Sequence, residues 1–166
     1  PSNEPMDMFL QHVVYKYGHR WLHWNGADSY AIISILAGAG FLLATFFIKD
    51  SLSKSNFERR WIWLLLVTVG TVQLFFGYVE NYSILAMLVM VYLAVLFSDR
   101  QDSIYWAAFI ASCAIVFHFS GIVLLPSLVF FGFYRLKNRQ EPLFKLVMGI
   151  TILVLLPILL LFALTI

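Results

Sequence analysis

The chain alternates long apolar stretches with short polar corners. Ser29–Ile48, Trp61–Val79, Tyr82–Phe97, Ile104–Tyr134 and Leu146–Ile166 are each dominated by Leu, Ile, Val, Phe and Ala. A membrane-crossing helix takes roughly 20 such residues. The fourth stretch is too long for one crossing. It is interrupted at His118-Phe119-Ser120-Gly121, with Pro126 following, which predicts a tight turn between two short helices. The expected fold is an all-α membrane protein with about six transmembrane helices, over 29–48, 61–79, 82–97, 104–118, 120–135 and 146–166.

Positive charge chooses between five crossings and six. With six, Lys49, Lys54, Arg59, Arg60, Arg100, Arg135, Lys137, Arg139 and Lys145 face one side, and only Lys16 and Arg20 the other. Five crossings would split the same residues five against six, with no bias. The excess of Lys and Arg in cytoplasmic loops favours six, with the N-terminus outside.

Residues 1–28 differ from the rest. Met6, Phe9, Leu10, Val13, Val14 and Tyr17 recur at i, i+3, i+4, i+7, i+8 and i+11, one face of a helix. Asn3 suits its cap, Pro5 its first turn and Gly18 its end. Trp21, His23 and Trp24 follow, with the aromatic character typical of headgroup level. This predicts an amphipathic interfacial helix lying on the outer membrane surface, its apolar face buried; a helix packed under a further soluble domain is the alternative.

Composition agrees. Apolar residues make up 61% of 166, charged residues 12%, and mean hydropathy is +0.85. A soluble domain of this size cannot hide so much apolar surface. A net charge of +2 with no basic arm argues against nucleic acid as a partner and leaves membrane lipid. The one cysteine, Cys113, excludes an internal disulfide. A polar start without Met and an end inside an apolar run read as a fragment of a longer protein.

The topology gathers Glu4, Asp7, His12, His19, His23, Glu80, Asn81 and His118 near one face. The turn Gly77-Tyr78-Val79-Glu80-Asn81-Tyr82-Ser83 is the most distinctive. A carboxylate so near hydrocarbon is costly unless it is paired, and such groups are functional candidates. Glu80 is suited to act as a general base, to hold a divalent cation or to bind sugar hydroxyls, although nothing in the sequence requires a cofactor. A solvated turn anchored by Tyr78 and Tyr82 is the plainer reading. His118, beside Ser120 and Gly121, is suited to donate to a phosphate oxygen or simply to close a helix end. His12, His19 and His23 lack metal-site spacing.

The segment Asn3-Glu4-Pro5-Met6, the amphipathic helix with His12 and Tyr15, and the small-residue span after it resemble the first outer loop of GT-C membrane glycosyltransferases. Phe76-Gly77-Tyr78-Val79-Glu80-Asn81-Tyr82-Ser83 and Phe117-His118-Phe119-Ser120-Gly121 before Leu124-Leu125-Pro126 are similar to bacterial relatives of the dolichyl-phosphate-mannose–protein mannosyltransferases. That group has a further upstream span, then an acidic catalytic residue early in the outer loop; Glu4 and Asp7 are acidic and on the matching side. The resemblance implies transfer of a sugar from a polyprenyl-phosphate donor to an acceptor on the outer face, in the bacterial inner membrane. Glu80, His118, Glu4 and Asp7 are then the catalytic candidates. Tyr78, Asn81, Tyr82, His12, Lys16, Arg20 and Ser120 are the substrate-binding candidates, with Lys16 or Arg20 partnering the lipid phosphate. The competing readings are a transporter or flippase with Glu80 and His118 as an ion or proton relay, and a membrane scaffold without chemistry.

Overall fold

A computed structural model describes residues 5–68, 75, 82–98, 100, 102–139 and 143–165. These are all-helical, in the order α1 (Pro5–Leu22), α2 (Gly26–Leu52), α3 (Asn56–Thr68), α4 (Tyr82–Leu96), α5 (Ser103–Phe117), a 3₁₀ turn (Phe119–Val123), α6 (Leu124–Arg139) and α7 (Leu143–Thr165). Two helical stretches, Gly26–Leu52 and Phe119–Lys137, are long and apolar enough to cross a membrane. Tyr82–Leu96, Ser103–Phe117 and Val147–Leu159 are shorter apolar helices. At 15 residues each, α4 and α5 extend roughly 22 Å, short of the roughly 30 Å of a bilayer core.

Each helix begins and ends for local reasons. Asn25 Oδ1 accepts the Asp28 N–H at 3.0 Å while Asp28 Oδ2 accepts the Asn25 N–H at 2.8 Å, a reciprocal cap for α2. α2 then runs past Ile48 to Leu52 and stops where Ser53 turns extended. The long apolar run breaks at His118, whose extended backbone ends α5 and opens the 3₁₀ turn into α6.

The packing is inside-out relative to a soluble domain. α2 buries Ile33, Ala37, Phe41, Ala44 and Ile48 at spacings of 4, 4, 3 and 4, together with Ser29, Ser34 and Thr45. Its Leu36 and Phe47, both 64% exposed, point outward, as do Leu65, Phe130, Phe133 and Leu159. Small and hydroxylated residues share the interior with a few large apolar ones such as Ile33 and Phe41, while many large apolar side chains point outward, and the small residues let the helices approach closely. α5 is the hub. Ala107, Ala108, Ala111 and Ala114 are completely buried, and α5 touches α1, α4, α6 and α7.

Three contacts set helix direction. The buried Ser34 and Ser83 hydroxyls meet at 3.1 Å, and a single groove is lined by Gly40, Leu43 and Phe47 of α2 and by Val91 and Val95 of α4. α2 and α4 therefore run parallel. Arg135, near the end of α6, donates from Nη1 to the Arg100 carbonyl at 3.1 Å and also reaches the Ser103 hydroxyl, so α6 returns antiparallel to α5. The α4–α5 corner and the end of α6 share one end, called here the basic end; the Ser83 and His118 corners share the other.

α1 departs from the sequence expectation at its end. It continues through Gly18 to Leu22, and Gly18 makes room for Trp24, whose indole folds onto the glycine where a Cβ would collide. The meridian packed on the bundle is Asp7, Gln11 and Gly18, roughly a quarter turn from the apolar stripe. Val13 is only half-buried, and Phe9 and Tyr17 are 47% and 59% exposed.

This packing predicts opposite responses to volume at two sites. Ala111→Leu overpacks the hub and should cost about 1–3 kcal/mol in reversible unfolding in detergent or bicelles. Leu36→Ala, on the outward face, should change stability by no more than about 0.5 kcal/mol. Equal costs at the two positions would contradict the inside-out arrangement.

Candidate functional site

His118 organises its corner through three hydrogen bonds. Its N–H donates to the Ala114 carbonyl at 2.9 Å, and its own carbonyl accepts the Gly121 N–H at 2.8 Å. Its Nδ1 accepts the Ser120 N–H at 3.1 Å. A backbone N–H can only donate, so Nδ1 is unprotonated and the neutral imidazole carries its proton on Nε2. Gly121 allows the turn to close: a Cβ there would stand 2.5 Å from the Ala114 carbonyl carbon, against backbone that cannot move aside.

The His118 ring is 8% exposed and lies against Tyr82, with centroids 4.7 Å apart and planes tilted by 39°. Tyr82 opens α4, so this contact brings the beginning of α4 to the end of α5. The neighbouring Ser83 bonds to Ser34, which ties in α2 as well. Among the candidates read from the sequence, Tyr82, His118 and Ser120 thus stand together. Ser120 contributes its backbone; its side chain is exposed.

The α1 candidates separate onto two faces. Asp7 is 2% exposed on the packed face, next to Gln11, whose Oε1 is buried and finds no hydrogen-bond partner among the described residues. His12, Lys16 and Arg20 lie on exposed faces, Arg20 standing 5.9 Å from the Trp21 ring centre. The histidines of the α1–α2 hook are structural. His19 Nδ1 bonds to the Trp24 carbonyl at 2.9 Å and its ring stacks on Tyr15, while His23 takes the left-handed conformation, φ 55°, that turns the chain into α2. Glu4, Tyr78, Glu80 and Asn81 lie outside the described residues. Among the described residues no three His, Cys, Asp or Glu side chains converge as a metal site requires.

Two polar positions escaped the sequence reading. Arg135 counted there only as a topology charge, yet it is 7% exposed and is held by the Arg100 carbonyl and Ser103. Tyr92, fully buried, bonds to Ser127 at 2.6 Å and joins α4 to α6. Arg135 offered a signal: it falls within the last turns of an apolar helix, where a charge must find carbonyl partners. Tyr92 offered none. No family pattern, no curated protein and no solved structure matches the chain.

The corner generates a discriminating pair of substitutions. Gly121→Ala should destabilise the protein by about 1–3 kcal/mol, because the new methyl meets backbone. Ser120→Ala, which keeps the N–H that His118 accepts, should stay within about 0.5 kcal/mol of the parent. Thermal unfolding monitored by circular dichroism checks both, and a silent Gly121→Ala would contradict this turn.

Proposed function

We propose that the chain is a polytopic membrane protein of about six crossings with α1 at its outer interface, acting as part of a glycosyltransferase that moves a sugar from a polyprenyl-phosphate donor to an acceptor on the outer face. The observation that carries this reading is the Tyr82–His118 pair, which unites two corners that the sequence marks as chemically unusual. A lipid-linked donor brings its headgroup to the membrane surface, and these corners lie at one end of an otherwise apolar bundle. The resemblance to GT-C enzymes supplies the reaction class; it is a likeness of motifs, and fold alone fixes no chemistry.

The proposed step balances simply. A carboxylate, Glu80 first and Asp7 or Glu4 as the alternatives, takes the proton of the acceptor hydroxyl. The acceptor oxygen bonds to the sugar's anomeric carbon as the bond from that carbon to the phosphate oxygen breaks. The electron pair leaves with polyprenyl phosphate. His118, with its proton on Nε2, is chemically suited to donate to a phosphate oxygen. Lys16 and Arg20 offset the lipid phosphate's charge, and Tyr78, Asn81, Tyr82, His12 and Ser120 supply hydroxyl, amide and ring surfaces for the sugar. A relay of protons between Glu80 and His118 without sugar transfer is the alternative.

Membranes carrying the full chain, supplied with radiolabelled polyprenyl-phosphate mannose, test the reading through transfer of label to protein or lipid acceptors. Glu80→Gln should lower transfer by about a hundredfold or more, the scale of losing a general base. His118→Phe, which keeps a ring beside Tyr82, should lower it by about tenfold or more, near the cost of one charge-assisted hydrogen bond. Undiminished transfer in both variants would sink the proposal. Proton or ion flux lost from both, with no transfer in the parent, would favour the relay.

A further inference from the structure

A second polar site lies at the basic end, far along the bundle from His118. Between the last turns of α2 and the first turns of α3 is a cavity of about 460 Å³. Its polar lining is Lys49, Asp50, Asn56, Arg59, Arg60 and Trp63. α3 leaves room for it, since none of that helix's residues is fully buried.

The charges in this cavity do not cancel. Asp50 sits 3.1 Å from Lys49 and 3.6 Å from Arg59, so one carboxylate is shared by two cations. Arg60 pairs with no carboxylate among the described residues. Three positive side chains against one negative leave an excess of two positive charges on the lining. Two of the three cations are also held in place. Lys49 is 16% exposed, its ammonium 3.9 Å from the Phe46 ring centre, and Arg59 Nε donates to the Ser53 carbonyl at 2.7 Å. An untethered collar of lysines reaching for water would not be fixed in this way.

Asn56 and Arg60 stand at i and i+4, on one face of α3. That face offers an amide and a guanidinium, donors suited to an acceptor-rich anion. A phosphate monoester carries nearly two negative charges at neutral pH and three strong acceptor oxygens, matching both the charge excess and the donor set. On α2 the cavity is lined by Phe46, Lys49 and Asp50, across the point where the apolar stretch ends at Ile48, which suits the level of a lipid headgroup.

We propose that the α2–α3 corner is a binding site for a phosphate monoester group, gripped by Arg60, Arg59 and Lys49. The site is independent of the reaction proposed at the His118 end. The full chain in a neutral detergent is titrated separately with phosphatidate, phosphatidylcholine and inorganic phosphate, and bound molecules are counted by native mass spectrometry. Phosphatidate or inorganic phosphate should be retained at least about tenfold more tightly than phosphatidylcholine, whose phosphodiester carries a choline cation; which of the two binds tells a lipid source from a soluble one. Arg60→Gln and Arg59→Gln should each weaken binding by about tenfold or more, the scale of one hydrogen bond to a charged group. Lys137→Gln, a cation outside the cavity, should bind as the parent does. Retention of neither phosphate probe overturns the proposal, and so does retention that Arg60→Gln and Arg59→Gln leave unchanged or that Lys137→Gln weakens equally, since a diffuse collar of charge would not distinguish these positions.

Discussion

The structure depends on the closeness with which α5 is approached by its neighbours. Four alanines without exposed surface give that helix an almost smooth flank, and α1, α4, α6 and α7 all rest on it. Between α2 and α4 the same closeness is reached with Ser34, Ser83 and Ala37. Small side chains bring backbones together, and dispersion contacts along the whole helix then replace the expulsion of water as the source of cohesion. Ile33, Phe41, Ile104 and Leu128 fill the remaining interior, and many other large apolar residues go outward. A bilayer is the surrounding in which this arrangement carries no penalty.

The same constraint shapes the corners. Helices packed so closely are joined by short connections, and each connection must satisfy its own backbone groups. At His118 one residue closes the turn with its N–H, its carbonyl and its ring nitrogen. At the other end Arg135 plays a comparable part for the α4–α5 corner, where it bonds to the Arg100 carbonyl and to Ser103. The two ends consequently differ in character. One presents aromatic rings, hydroxyls and, through α1, carboxylate; the other presents guanidinium groups and lysines around a cavity.

Much of the helical order was legible in the apolar runs, because run length and interruption are local properties. The break at His118-Phe119-Ser120-Gly121 needed only a glycine and a run too long for one helix. The end of α1 was not legible: Gly18 suits a helix end, yet it accommodates the Trp24 indole and the helix runs on to Leu22. Of the site, the contact between Tyr82 and His118 followed from placing both corners at one end. The buried Arg135 and the Tyr92–Ser127 bond depend on which residues of different helices meet, and no spacing along the chain encodes that.

The central claim is that the corner at His118 and the corner between α2 and α3 lie on opposite sides of a membrane. Single cysteines introduced as Ser120→Cys and Lys54→Cys, in a Cys113→Ala background, measure this directly with a membrane-impermeant thiol reagent applied to sealed right-side-out vesicles. Labelling of the Ser120→Cys protein alone, with the Lys54→Cys protein reacting only after the vesicles are opened, is the predicted result. Labelling of both from the same side would contradict the account.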